Sequence, residues 1–152
     1  MPSIAPSYLY TIIALIAVST LLSVAFLAYT TAFRVSSETK QLKNLMDYVA
    51  ARGTELLTLA TATNATAETF VQMPVTIGDR QYWLQLRNSS AEAWLEGGLG
   101  NAPTERTGLR VYLPKGTAAG GYYLAGYGAA YLRCSATSGA FQLNLTSSRS
   151  IG

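Results

Sequence analysis

The reading of this chain turns on PSYLYTIIALIAVSTLLSVAFLAYTTAF, residues Pro6 to Phe33. No charged side chain precedes Arg34, and no proline or glycine stands between Ser7 and Arg52. Pro6 suits the first turn of a helix, where a missing N–H costs nothing, and no residue after it tells the helix to stop. As a helix rising about 1.5 Å per residue the stretch would be roughly 42 Å long. That is more than the roughly 30 Å of a bilayer's hydrocarbon core, so a membrane span is the first expectation. A secretory signal peptide fits worse, because the apolar run is too long and has no basic start.

From Val35 onward the pattern changes without a break. Leu42, Leu45, Met46, Val49, Gly53, Leu56, Leu57 and Ala60 recur at i, i+3, i+4 and i+7 spacings, one apolar stripe along an amphipathic helix. Lys40, Lys43, Asp47, Thr54 and Thr58 fall on the other face, with Lys43 and Asp47 spaced to pair. Gly53, unfavourable inside a helix, reads as a bend or a close approach by the body. The helix is expected to fray in ATATNATA, near residues 60–66. The sequence thus divides into residues 1–63, one long helix, and residues 64–152, a β-rich head. Within the helix, residues 1–33 form the apolar part and residues 34–63 the part that packs on the head.

After Asn64 the expected structure is β throughout. Thr69 to Ile77 reads as a strand whose Pro74 hints at an edge or bulge. Gly78-Asp79 is a turn, and Gln81 to Leu86 alternates as QYWLQL. SSAEAWLEGGLG, Ser89 to Gly100, reads as an irregular segment with a short exposed helical turn carrying Glu92 and Glu96. Asn101 to Thr107 is a loop, followed by strands at Leu109 to Leu113, Tyr122 to Ala125, Ala129 to Ser135 and Ala140 to Thr146. The expected class is α+β, a long N-terminal helix followed by a small antiparallel sheet or sandwich.

Inventory narrows the chemistry. The chain has 152 residues and no histidine, and Cys134 is its single cysteine. Zinc sites, Ser-His-Asp triads and Cys-His dyads are excluded, and no internal disulfide can form. Cys134 reads as a small buried hydrophobe on a strand. Among the eight carboxylates no pair sits in a catalytic motif. Neither a phosphate loop nor a dinucleotide fingerprint accompanies the glycines and tyrosines of residues 120–131. No cofactor and no enzymatic activity are expected. The net charge of +3 is scattered, without a basic run or face, so nucleic acid is not an expected partner.

Topology signals conflict. Arg34, Lys40 and Lys43 follow the apolar run, which by the positive-inside rule would place them in the cytoplasm. Yet the head carries three Asn-x-Ser/Thr triplets, at Asn64, Asn88 and Asn144, candidate N-glycosylation sites that favour an exported surface. Both fit if a basic leader once preceded Met1 and was removed; a gene whose start codon encodes Met1 would refute this.

With an uncharged helix from Ser7 to Phe33, its amphipathic continuation to about Ala60 and a β-rich head, the chain resembles an archaeal type IV pilin. MPVTIGDRQYWLQL, Met73 to Leu86, is also similar to a hairpin common in such heads, through Pro74, Ile77-Gly78 and Tyr82. Bacterial type IV pilins usually carry a glutamate at the fifth mature position, where this chain has Ala5 if Met1 is the mature start. They also often have a helix-kinking proline, absent here; both departures favour the archaeal branch. The resemblance implies a leader cleaved by a dedicated peptidase and storage in the cytoplasmic membrane. It further implies hand-over to a pilus assembly machinery and a homopolymeric adhesive filament at the cell surface. The helix residues expected to pack in the filament core are Tyr8, Ile12, Leu15, Ala17, Ser19, Leu22, Val24, Phe26, Tyr29 and Phe33. The alternatives are a monomeric membrane-anchored β ectodomain, such as a minor pilin or adhesin, and a subunit of the related archaeal flagellar filament.

Overall fold

The structure is a computed structural model that describes residues 4–101, 109–137 and 139–147. Nearly all of the expected loop at Asn101 to Thr107, with its Glu105, lies outside the described residues, as do Met1 to Ser3, the side chain of Ala5, and Ser138 of the last turn. One α-helix, α1 (Ile4–Thr63), precedes seven strands. These are β1 (Ala67–Val71), β2 (Tyr82–Asn88), β3 (Ala93–Leu99), β4 (Arg110–Tyr112), β5 (Ala118–Leu124), β6 (Ala130–Thr137) and β7 (Ala140–Thr146). The class is α+β. The chain divides into two units, Met1–Ser37 and Glu38–Gly152, so the boundary falls inside α1.

In the second unit the strands form one sheet in the order β1-β6-β7-β5-β2-β3-β4. Every neighbouring pair is antiparallel except β5 and β7, which run parallel with Ala118 opposite Gln142. The stripe along α1 and one face of the sheet share a single core. Leu42, Met46, Val49, Leu56 and Ala60 are buried with Leu84, Leu86, Leu95, Leu132, Leu143 and Leu145. Alternation along each strand sends these leucines inward and their neighbours outward. Cys134 is buried among them.

Gly53 serves close approach: a Cβ there would stand 2.9 Å from Cδ2 of Leu143. On the polar side of the helix Arg52 pairs with Glu55 at 3.3 Å, with the Arg52 guanidinium over the Tyr48 ring. The helix stops at Thr63 because Asn64 takes a left-handed φ of 50°, a conformation asparagine tolerates and most residues do not.

Two strand expectations are corrected. The strand expected over Thr69 to Ile77 ends at Val71, and Ile77 pairs with Arg80 across a tight turn instead. Pro74, with no N–H to give a ladder, stands in the irregular link between them. The segment expected to hold a helical turn forms β3 instead, entered by a turn in which the Ser89 N–H donates to the Glu92 carbonyl at 2.7 Å. Its Gly97 is not a terminator. It lies under the helix, where a Cβ would come within 2.8 Å of Sδ of Met46.

Candidate functional site

The surface that stands out is the first unit's helix. Every side chain from Pro6 to Ser36 is exposed, including all ten residues expected to pack in a filament core. Tyr10 is 72% exposed, Leu21 70% and Phe26 69%. Between Pro6 and Phe33 the only ionisable groups are tyrosine hydroxyls.

The side chains sort by size around the helix. At about 100° per residue, Tyr8, Leu15, Leu22 and Tyr29 recur every seven positions, and Phe26 and Phe33 join them on one ridge of large residues. About a third of a turn away, Ala14, Ala17, Ala25, Ala28 and Ala32 line a second stripe, with Leu21 standing among them and Tyr10 at its start. Of the other expected packing residues, Ile12 and Ser19 border the ridge, and Val24 borders the alanine stripe with Ala17. The ten positions therefore cover two faces rather than one seam.

Four hydroxyl groups in this segment are satisfied internally. Thr11 Oγ1 donates to the Ser7 carbonyl at 3.0 Å. Thr20 donates to Ile16 and Ser23 to Ser19, each at 2.8 Å. Thr30 donates to Phe26 at 2.8 Å. Each proton is thus used within the helix, so an apolar environment imposes little desolvation cost on these residues. The segment is long and apolar enough to cross a membrane.

The head offers less chemistry. Burial pushes the Cys134 thiol above its usual pKa, which disfavours the reactive thiolate. Among the described residues no group of three His, Cys, Asp or Glu is placed to hold a metal. A groove in the second unit, about 490 Å³, is walled by Thr54, Thr58, Thr61, Lys115 and Phe141, among others. Its helix threonines also donate to carbonyls four residues back, at 2.7–2.9 Å.

The three sequons differ in access. Asn64 follows the helix end and Asn88 closes β2, both exposed; Asn144 is half-buried inside β7, between β6 and β5.

No protein-family model, curated protein or solved structure matches this chain. Function must therefore be argued from the apolar helix and the head themselves.

One constellation escaped the sequence reading. Glu96, expected on an exposed turn, is only 5% exposed and is held by Arg87 at 3.1 Å and Arg110 at 3.2 Å. Its three members come from β2, β3 and β4, and no local spacing signals their meeting.

Proposed function

We propose that this chain is the structural subunit of an extracellular helical filament of the archaeal type IV pilus kind, assembled through its apolar N-terminal helix. The observation that carries the reading is the uninterrupted exposure of apolar side chains from Pro6 to Ser36. A helix that is apolar all round needs an apolar surrounding on every side. Lipid supplies one such surrounding, and the helices of other subunits supply another. Exchanging one for the other nearly cancels the hydrophobic term, so close van der Waals packing decides. A ridge of large residues beside a face rich in alanine favours that packing, since the alanines let the ridge of the next copy approach closely on either side of Leu21. Such a contact is head-to-tail, and when its rotation does not close it builds a helical filament.

In this reading the subunit waits in the cytoplasmic membrane, is drawn out by an assembly machinery, and presents its β head, with any N-linked glycans, on the filament surface. The rival is a monomeric anchored ectodomain, and one experiment separates them. Negative-stain microscopy of material sheared from cells should show filaments containing this chain. Val24→Asp and Ala17→Asp should each abolish them while the head keeps its circular dichroism and melting temperature. Normal filaments from either variant would refute the proposal; its absence from any filament, with the chain held in membranes as a monomer, would favour the anchor.

A further inference from the structure

We infer that the outward face of the sheet around Arg87, Glu96 and Arg110 is a binding site for an acidic carbohydrate, whose carboxylate meets the guanidinium groups and whose ring lies on an aromatic platform. Register places the parts on one face. Glu96 stands opposite both Gln85 and Arg110, and Trp94 stands opposite both Arg87 and Tyr112. Directly opposed residues of antiparallel strands point the same way, so these side chains all face away from the helix.

The charges do not balance. One carboxylate is shared by two guanidiniums, with Arg87 Nε at 3.1 Å from Oε2 of Glu96 and Arg110 Nε at 3.2 Å from Oε1. Holding Glu96 in place would take one arginine; the second leaves the cluster with an excess positive charge. Both arginines bind through Nε, their inner edge. Arg87 spends one terminal nitrogen on Gln85, at 3.3 Å. Among the described residues its other terminal nitrogen and both of Arg110's meet no carboxylate. The two side chains are 44% and 47% exposed, so those donors are within reach of solvent. A guanidinium keeps its charge at any relevant pH, and its planar fork matches a carboxylate.

The guanidinium of Arg110 is also held over the Trp94 ring, 5.2 Å from its centroid, which limits its freedom before any ligand arrives. Tyr112, 59% exposed, tilts against Trp94 with centroids 6.4 Å apart. A bare anion would need only the cations. An aromatic surface beside them suits the C–H face of a sugar ring, so a uronic-acid type of ligand uses both halves of the site. The face lies entirely in the second unit, and its test does not depend on whether filaments form.

The test is calorimetric titration of the full chain in octaethylene glycol dodecyl ether micelles with trigalacturonate. Saturable one-to-one binding is expected, with the methyl-esterified trimer, maltotriose and inorganic sulfate each at least about tenfold weaker. Arg110→Gln should weaken trigalacturonate by about tenfold or more. Arg110→Lys, which preserves the charge beside Glu96, should weaken it by several-fold with circular dichroism unchanged. Arg133→Gln, on the same sheet face outside the cluster, should leave it as it was. Absence of saturable binding would overturn the inference. So would esterified trimer or sulfate binding as tightly as the acid, full affinity in a folded Arg110→Lys chain, or an equal loss from Arg133→Gln.

Discussion

The two halves of α1 both carry large apolar side chains, which end in opposite conditions. Leu42 and Met46, in the second unit, are buried to 0% and 1% exposure, whereas Leu21 and Leu22, earlier in the same helix, stay 70% and 65% exposed. The difference lies in what surrounds these side chains on the helix surface. In the second half lysines, threonines and Asp47 leave a single stripe, which the chain's own sheet covers. In the first half no polar face interrupts the apolar surface, and nothing in one copy of the chain matches it. A one-sided stripe is satisfied by a fold; a surface apolar on every side calls for a solvent or a polymer.

Mutation can test that contrast directly. Leu42→Ala should destabilise the head by about 2–5 kcal/mol, read from denaturant or thermal unfolding of the chain in micelles. Leu22→Ala in the same assay should change stability by less than about 0.5 kcal/mol, because in one copy it touches no core. Similar losses from both would break the comparison.

A smaller effect tests how closely the sheet meets the helix. Gly97→Val should cost about 1–3 kcal/mol, since its first carbon already falls within van der Waals reach of Met46 and Leu84. An unchanged melting temperature would show that the contact is loose.

Smaller again is the effect at Tyr82, the tyrosine of the resembling hairpin. Its hydroxyl donates to the Pro74 carbonyl at 2.6 Å, tying the irregular link to β2. Burial, with Tyr123 nearby, raises its pKa well above the ordinary tyrosine value. The folded chain therefore favours the neutral form. This contribution is complete below about pH 10 and is lost as pH rises further, because the unfolded chain ionises first. Tyr82→Phe should cost about 1 kcal/mol at neutral pH and give a shallower alkaline decline in pH-dependent melting. An unaltered alkaline slope would remove Tyr82 as its cause. The last prediction leaves stability untouched: peptide mapping of protein from its native host should find sugar on Asn64 and Asn88 and none on Asn144.

Much of this architecture was legible in the sequence, for physical reasons that differ by element. The helix is specified by spacing within a few residues, so its course and the buried stripe from Leu42 to Ala60 could be read directly. β7 was equally clear, because AFQLNLT alternates cleanly between turns. β3 was hidden because Gly97-Gly98 resembles a stop signal, while the reason for Gly97 is Met46, far away along the chain. The parallel pairing of β5 with β7 has no local signature either, since parallel register is set by strand order. The same holds for the candidate surfaces. Uncharged residues mark the helix at once, but Arg87, Glu96 and Arg110 acquire meaning only when three strands align.

The sheet order has a consequence for how the molecule is made. β7, the last strand in chain order among the described residues, lies inside the sheet, and without it β6 with β1 has no hydrogen-bonded link to β5, β2, β3 and β4. A ribosome delivers the apolar helix before that keystone, so the sheet cannot close until β7 has been made. During that interval the strands already made present unpaired edges, a state prone to aggregation. Closure of the sheet thereby waits on β7, well after the helix has had the opportunity to enter lipid.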